Sequence, residues 1–182
     1  MNDLTGTGAL VRLILRRDRL RISIWVVSIT LLDFLTAVGV KSLFPTQASI
    51  DQAAAATQHN AGAIAFNGPA QGLDTLGGQI AFQIGALGMV VVALMSVFMI
   101  GRLTRGDEEA GRLELVRSLP VGNHAPTFAA LIVVVAMNAA VGVLSSASLL
   151  AEGLPTAGSL VLGASFAAMG VGWLPGVALA NR

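Results

Sequence analysis

Three runs of this chain carry no charged side chain: Thr75 to Gly101, Ser118 to Ala151, and Gly153 to Asn181. About 20 apolar residues cross the hydrocarbon of a bilayer, and a charge at its centre costs about 2.5–3.5 kcal/mol on insertion scales. A fourth run, Ile22 to Val40, is apolar except for Asp33. The pattern predicts an all-α, polytopic membrane protein with about four transmembrane helices, over 22–41, 79–101, 126–150 and 157–179. The whole chain, 1–182, then forms one transmembrane domain with an outer loop at 42–78 and a cytoplasmic loop at 102–125. Composition agrees, because 54% of the residues are hydrophobic and only 12% are charged, about half the charge of a soluble domain.

The arginines give the orientation. Arg12, Arg16, Arg17, Arg19 and Arg21 precede the first run, Arg102, Arg105, Arg112 and Arg117 follow the second, and Arg182 ends the chain. The opposite side has only Lys41. Basic residues mark the cytoplasmic side, so both termini and the 102–125 loop are expected in the cytoplasm, with the chain multi-pass in its membrane. A cleaved signal peptide is disfavoured by the three runs that follow and by Asp33 inside the first. The stretch Gly8 to Leu20 sets Arg12, Arg16 and Arg19 against Leu10, Val11 and Ile14. That pattern predicts an N-terminal amphipathic helix on the inner membrane surface.

Several chemistries are excluded. There are no cysteines, and His59 and His124 cannot by themselves make a zinc centre. Eleven basic against ten acidic residues give a net charge of +1, with no face built for nucleic acid. The one lysine, in Val38-Gly39-Val40-Lys41-Ser42, belongs to no phosphate-binding loop. Gly163-Ala164-Ser165 has the look of a nucleophile turn, but neither histidine falls in an apolar run to serve as its base. Small residues at Gly85/Gly88, Ala136/Ala140 and Ala164/Ala168/Gly172 are read instead as helix-packing stripes. Asp33 stands apart. An ionisable group at membrane depth is a functional candidate by default, with Gln83 and Asn138 as its expected polar neighbours.

The stretch from Gly101 to Gly122 contains Thr104-Arg105-Gly106-Asp107-Glu108-Glu109-Ala110-Gly111-Arg112-Leu113-Glu114-Leu115 and ends in Pro120-Val121-Gly122. Thr104 and Asp107 suggest a capping box, acidic residues follow where a helix N-terminus favours them, and Pro120 marks a stop. Glu108 can pair with Arg112 one turn on. The pattern predicts a short helix with Leu113, Val116 and Leu119 as an apolar docking ridge. The segment resembles the TR-x-EE-x-GR-x-EL loop, ending in PVG, of permeases of ABC-2-type exporters. More narrowly it is similar to the polyketide (tetronasin-type) antibiotic exporter permeases of actinobacteria, as are Phe44-Pro45-Thr46, Phe66-Asn67-Gly68-Pro69 and Leu73-Asp74-Thr75-Leu76-Gly77-Gly78. Asn123-His124 departs from that pattern, which has a basic residue after Pro-Val-Gly.

The resemblance implies an antibiotic efflux subunit without its own ATPase site. Its cytoplasmic helix would couple to an ATP-binding cassette partner, through Glu108, Glu109, Gly111, Arg112 and Glu114. ATP and magnesium would sit on that partner, and a second permease half or a second copy would complete the path through the lipid bilayer. Permeases of this kind have further spans, so the chain is expected to be an N-terminal portion of one. The alternatives are a proton-linked secondary transporter module built on Asp33 and an inactive truncated fragment.

Overall fold

A computed structural model describes residues 4–109, 122 and 124–172. Among them the secondary structure is entirely helical: α1 (Thr7–Arg17), α2 (Arg19–Leu43), α3 (Gln47–Gln58), α4 (Ala61–Asn67), α5 (Leu76–Glu109), α6 (Ala125–Ala151) and α7 (Thr156–Gly172). Helices α2, α5 and α6, of 25, 34 and 27 residues, are each long and apolar enough to cross a membrane. At about 1.5 Å per residue even α2 reaches about 37 Å, against about 30 Å of hydrocarbon. The described part of α7 is a shorter apolar helix of 17 residues. The expected span over 157–179 continues past it, and 173–179 lie outside the described residues. This is the fold of a polytopic membrane protein.

Helix α2 shows how the sequence sorts its faces. Val26, Ile29, Asp33, Ala37 and Val40 are buried at intervals of three and four residues, the rhythm of one helical face. Ile24, Val27, Leu31 and Leu35 are exposed on the other faces, as befits side chains that meet lipid. The main core joins α5, α6 and α7 through Val92, Met95, Val133, Val134, Met137, Val141 and Phe166.

Helices α6 and α7 form a hairpin whose turn uses Gly153 at φ 78°, a left-handed conformation open to glycine. Above the turn the two backbones touch, because a Cβ on Gly142 would lie 2.6 Å from the Gly163 carbonyl oxygen. Gly88 is also crowded, though by a side chain rather than backbone, since a Cβ there would lie 2.7 Å from the tip of the Phe166 ring. Small residues therefore permit close approach, but the α7 stripe differs from the expected one. Gly163, Phe166 and Gly170 face inward, whereas Ala164, Ala168 and Gly172 are exposed, so the inward stripe of α7 runs one to two positions ahead of the expected one.

Helix α1 begins after Gly6 at φ 89° and turns Leu10, Val11 and Ile14 onto the core, as its amphipathic pattern requires. It ends at Arg17, earlier than the expected Leu20, and Arg19 already belongs to α2. Between α2 and α5, Thr46 and Ser49 form a capping box on α3, and Asn60 caps α4. Gly68 at φ 94° then closes α4 before Pro69.

Candidate functional site

Two regions concentrate polar chemistry. The first is the arginine-bearing end of the bundle. Asp18, 2% exposed, sits in the joint between α1 and α2. Its carboxylate accepts from Arg17 Nε at 3.0 Å, Arg21 Nη1 at 3.2 Å and Arg102 Nε at 3.3 Å. The last of these crosses from the joint to α5, so the α1–α2 corner is fastened to α5 as it leaves the core. On the far side of the 102–125 loop, the Gly122 amide donates to the Thr5 carbonyl at 3.1 Å, next to the start of α1. Arg102 of α5 and Gly122 thus both contact the N-terminal segment, one at each end of α1. Asp18 carries no motif of its own, and only its place among five arginines in the first 21 residues hinted at a counter-ion role.

The expected short helix starting at Thr104 is corrected here. Helix α5 runs without a break from Leu76 to Glu109, and Thr104 Oγ1 donates to the Ile100 carbonyl at 2.9 Å. That is the bond of a threonine inside a helix, not of an N-cap. Glu108 and Glu109 therefore belong to the same long helix, which is described for eight residues beyond Gly101. Gly111, Arg112 and Glu114, with the expected ridge at Leu113, Val116 and Leu119, lie outside the described residues.

The second region lies within the apolar spans. Asp33, fully buried, accepts a hydrogen bond from the Ser145 hydroxyl of α6 at Oδ2. Its expected neighbours prove to be elsewhere. Asn138 is fully buried but donates through Nδ2 to Ser96 Oγ on α5 at 2.9 Å and to the Val134 carbonyl at 2.9 Å. Gln83 is exposed on α5. Gly170 of α7 covers Asn138 so closely that a Cβ would collide with its amide. The sequence placed a polar residue on each span; which residues met depended on helix rotation, which hydropathy does not encode. Ser145 carried no signal beyond its position seven residues after Asn138, on the same helix face.

At the end opposite the arginines, Lys41 Nζ donates to Glu152 Oε2 at 2.9 Å and to the Glu152 carbonyl at 2.7 Å, tying α2 to the α6–α7 turn. Nearby, a largely apolar cleft of about 610 Å³ opens between the start of α5 and α7, lined by Leu76, Ile80, Leu149, Leu154, Leu162 and Ser165 among others. Among the described residues no group of three or more His, Asp or Glu side chains could hold a metal.

No family model matches the chain. A multidrug efflux system permease protein of Mycobacterium tuberculosis is 35% identical to it over 170 residues, which cover 92% of this chain. The chain spans 30% of that relative's length.

Proposed function

We propose that this chain is membrane-spanning permease material of an ATP-driven exporter, placed in a bacterial plasma membrane with its arginine-bearing end in the cytoplasm. The observation that carries the reading is the likeness to an efflux permease across 92% of the chain. The loop at 102–119 is its contact with a separate ATP-binding cassette subunit, which supplies the ATP and magnesium chemistry. Glu108, Glu109, Gly111, Arg112 and Glu114 are the contact residues, and the polyketide (tetronasin-type) exporters are the narrower family assignment.

The long α5 supports this assignment mechanically. A helix is stiff along its axis, so a push on Glu108 and Glu109 moves the rod that packs beside α6 and α7 in the core. The Asp18–Arg102 contact passes the same displacement to the α1–α2 corner. Rocking of helices against one another is the general route to alternating access. A lipophilic cargo suits the walls available, because the described spans present mainly apolar side chains and the cleft beside α7 is lined mostly by them. A second permease half, or a second copy, completes the path.

Efflux of a lipophilic dye from cells carrying the complete exporter tests the reading. Glu108→Lys is expected to leave membrane insertion intact and to reduce energised efflux by an order of magnitude or more. Undiminished efflux in that variant would remove the assigned role of the loop.

A further inference from the structure

Asp33 is not used by the exporter reading, and its surroundings differ from those of a packing residue. Both carboxylate oxygens are buried, yet only Oδ2 has a partner, Ser145; Oδ1 has none. One turn away on the same helix, Thr30 Oγ1 is likewise buried without a partner. Residues three apart share a helix face, so two unsatisfied oxygens lie on one side of α2. Buried polar atoms in folded proteins are nearly all hydrogen-bonded. Two adjacent exceptions, one of them a carboxylate oxygen, mark a place where a proton can come and go.

No charge from any neighbouring element balances Asp33. On α2 itself the nearest charged residues are Arg21, twelve residues away, and Lys41, eight residues away, or about 18 and 12 Å along the axis. On α1 the charges are Arg12, Arg16 and Arg17, with Asp18 at its end, all on the arginine side. Helix α5 has none before Arg102, and α6 and the described α7 have none. Among the described residues, nothing but a proton neutralises a carboxylate in such surroundings.

We propose that Asp33, Thr30 and Ser145 form an intramembrane proton-binding site, with Asp33 as the group that takes up and releases the proton. Uptake forms one O–H bond at Oδ1 with a proton drawn from water, and release breaks that bond and returns the proton. The hydroxyls suit both states, since each can donate to a carboxylate or accept from a carboxylic acid by rotating its hydrogen. Ser145 secures Oδ2 of the carboxyl, and Thr30, one turn away with its hydroxyl unpartnered, stands on the side of the open Oδ1. The site stands on α2 and α6 alone and does not depend on the exporter reading.

The test is pH-difference infrared spectroscopy of the full chain reconstituted in phosphatidylcholine vesicles, with circular dichroism to check helicity. Acidification is expected to raise a carboxylic-acid C=O band that is missing in Asp33→Asn. Thr30→Val and Ser145→Ala keep the carboxyl, so they are expected to retain the band but change its frequency and the pH at which it half-appears. Superimposable difference spectra for the parent and Asp33→Asn would overturn the proposal, and so would a band unchanged by Thr30→Val.

Discussion

Single residues set the close contacts that fix this bundle. Asp18 draws three guanidiniums to one buried carboxylate, and removing the charge leaves Arg102 without its link to the α1–α2 corner. Hydrogen bonds to charged groups are worth about 1.5–3 kcal/mol, but these arginine side chains are 33–52% exposed, and solvent screens part of that. Asp18→Asn is therefore expected to destabilise the detergent-solubilised chain by about 1–2 kcal/mol, read as a lower thermal midpoint. An unchanged midpoint would show that the cluster does not hold the corner. Gly163 is the stricter case, because it meets the α6 backbone and the Ser146 side chain at once. Gly163→Leu is expected to part α6 from α7, at a cost of about 2 kcal/mol or more, whereas Ala164→Leu, at an exposed position, is expected to be tolerated. Equal thermal midpoints for these two variants would contradict the packing described. Neither Asp18 nor Ser145 was legible in the sequence, because an ion pair across 84 residues and a hydrogen bond across 112 depend on how helices are rotated.

Among the elements, apolar run length was the readable quantity and helix ends were the harder one. The apolar runs marked the middles of α2, α5 and α6, Asp33 being the one charge among them, since the bilayer imposes length and hydropathy on any helix that crosses it. The amphipathic α1 followed in the same way from its three-and-four spacing. What misled was local end chemistry. Thr104 and Asp107 had the spacing of a cap, but continuing a helix that is already formed adds one hydrogen bond per residue, whereas starting a new one costs a nucleus. So α5 carries on through both positions as far as Glu109, and Glu108 and Glu109 belong to the helix that begins at Leu76 rather than to one that starts at Thr104. At the other end of the bundle, Lys41 and Glu152 join α2 to the α6–α7 turn, with side chains 39% and 20% exposed. A double-mutant cycle with Lys41→Ala and Glu152→Ala is expected to give a coupling of about 1 kcal/mol or less that weakens as salt is added. A coupling of several kcal/mol, insensitive to salt, would mean a far drier contact than these exposures describe.

Over the whole molecule, α5, α6 and α7 share one core, the α1–α2 corner is fastened to α5 through Asp18 and Arg102, and Gly122 returns to Thr5 beside α1. The exporter reading places a motor at that loop, and the chain's own sequence offers no phosphate-binding loop to replace one. The resemblance in the sequence pointed to the loop, while the contacts that brace it, Arg102 to Asp18 and Gly122 to Thr5, emerge only once the helices are assembled. The most direct test is to solubilise native membranes gently, recover the exporter through a tag on this chain, and identify what accompanies it. A P-loop ATPase that co-purifies with the parent and is lost with Glu108→Lys, while Ala164→Leu retains it, is the result predicted. An inserted, folded chain that brings down no ATPase, or one whose ATPase is held equally well by Glu108→Lys, would contradict the account.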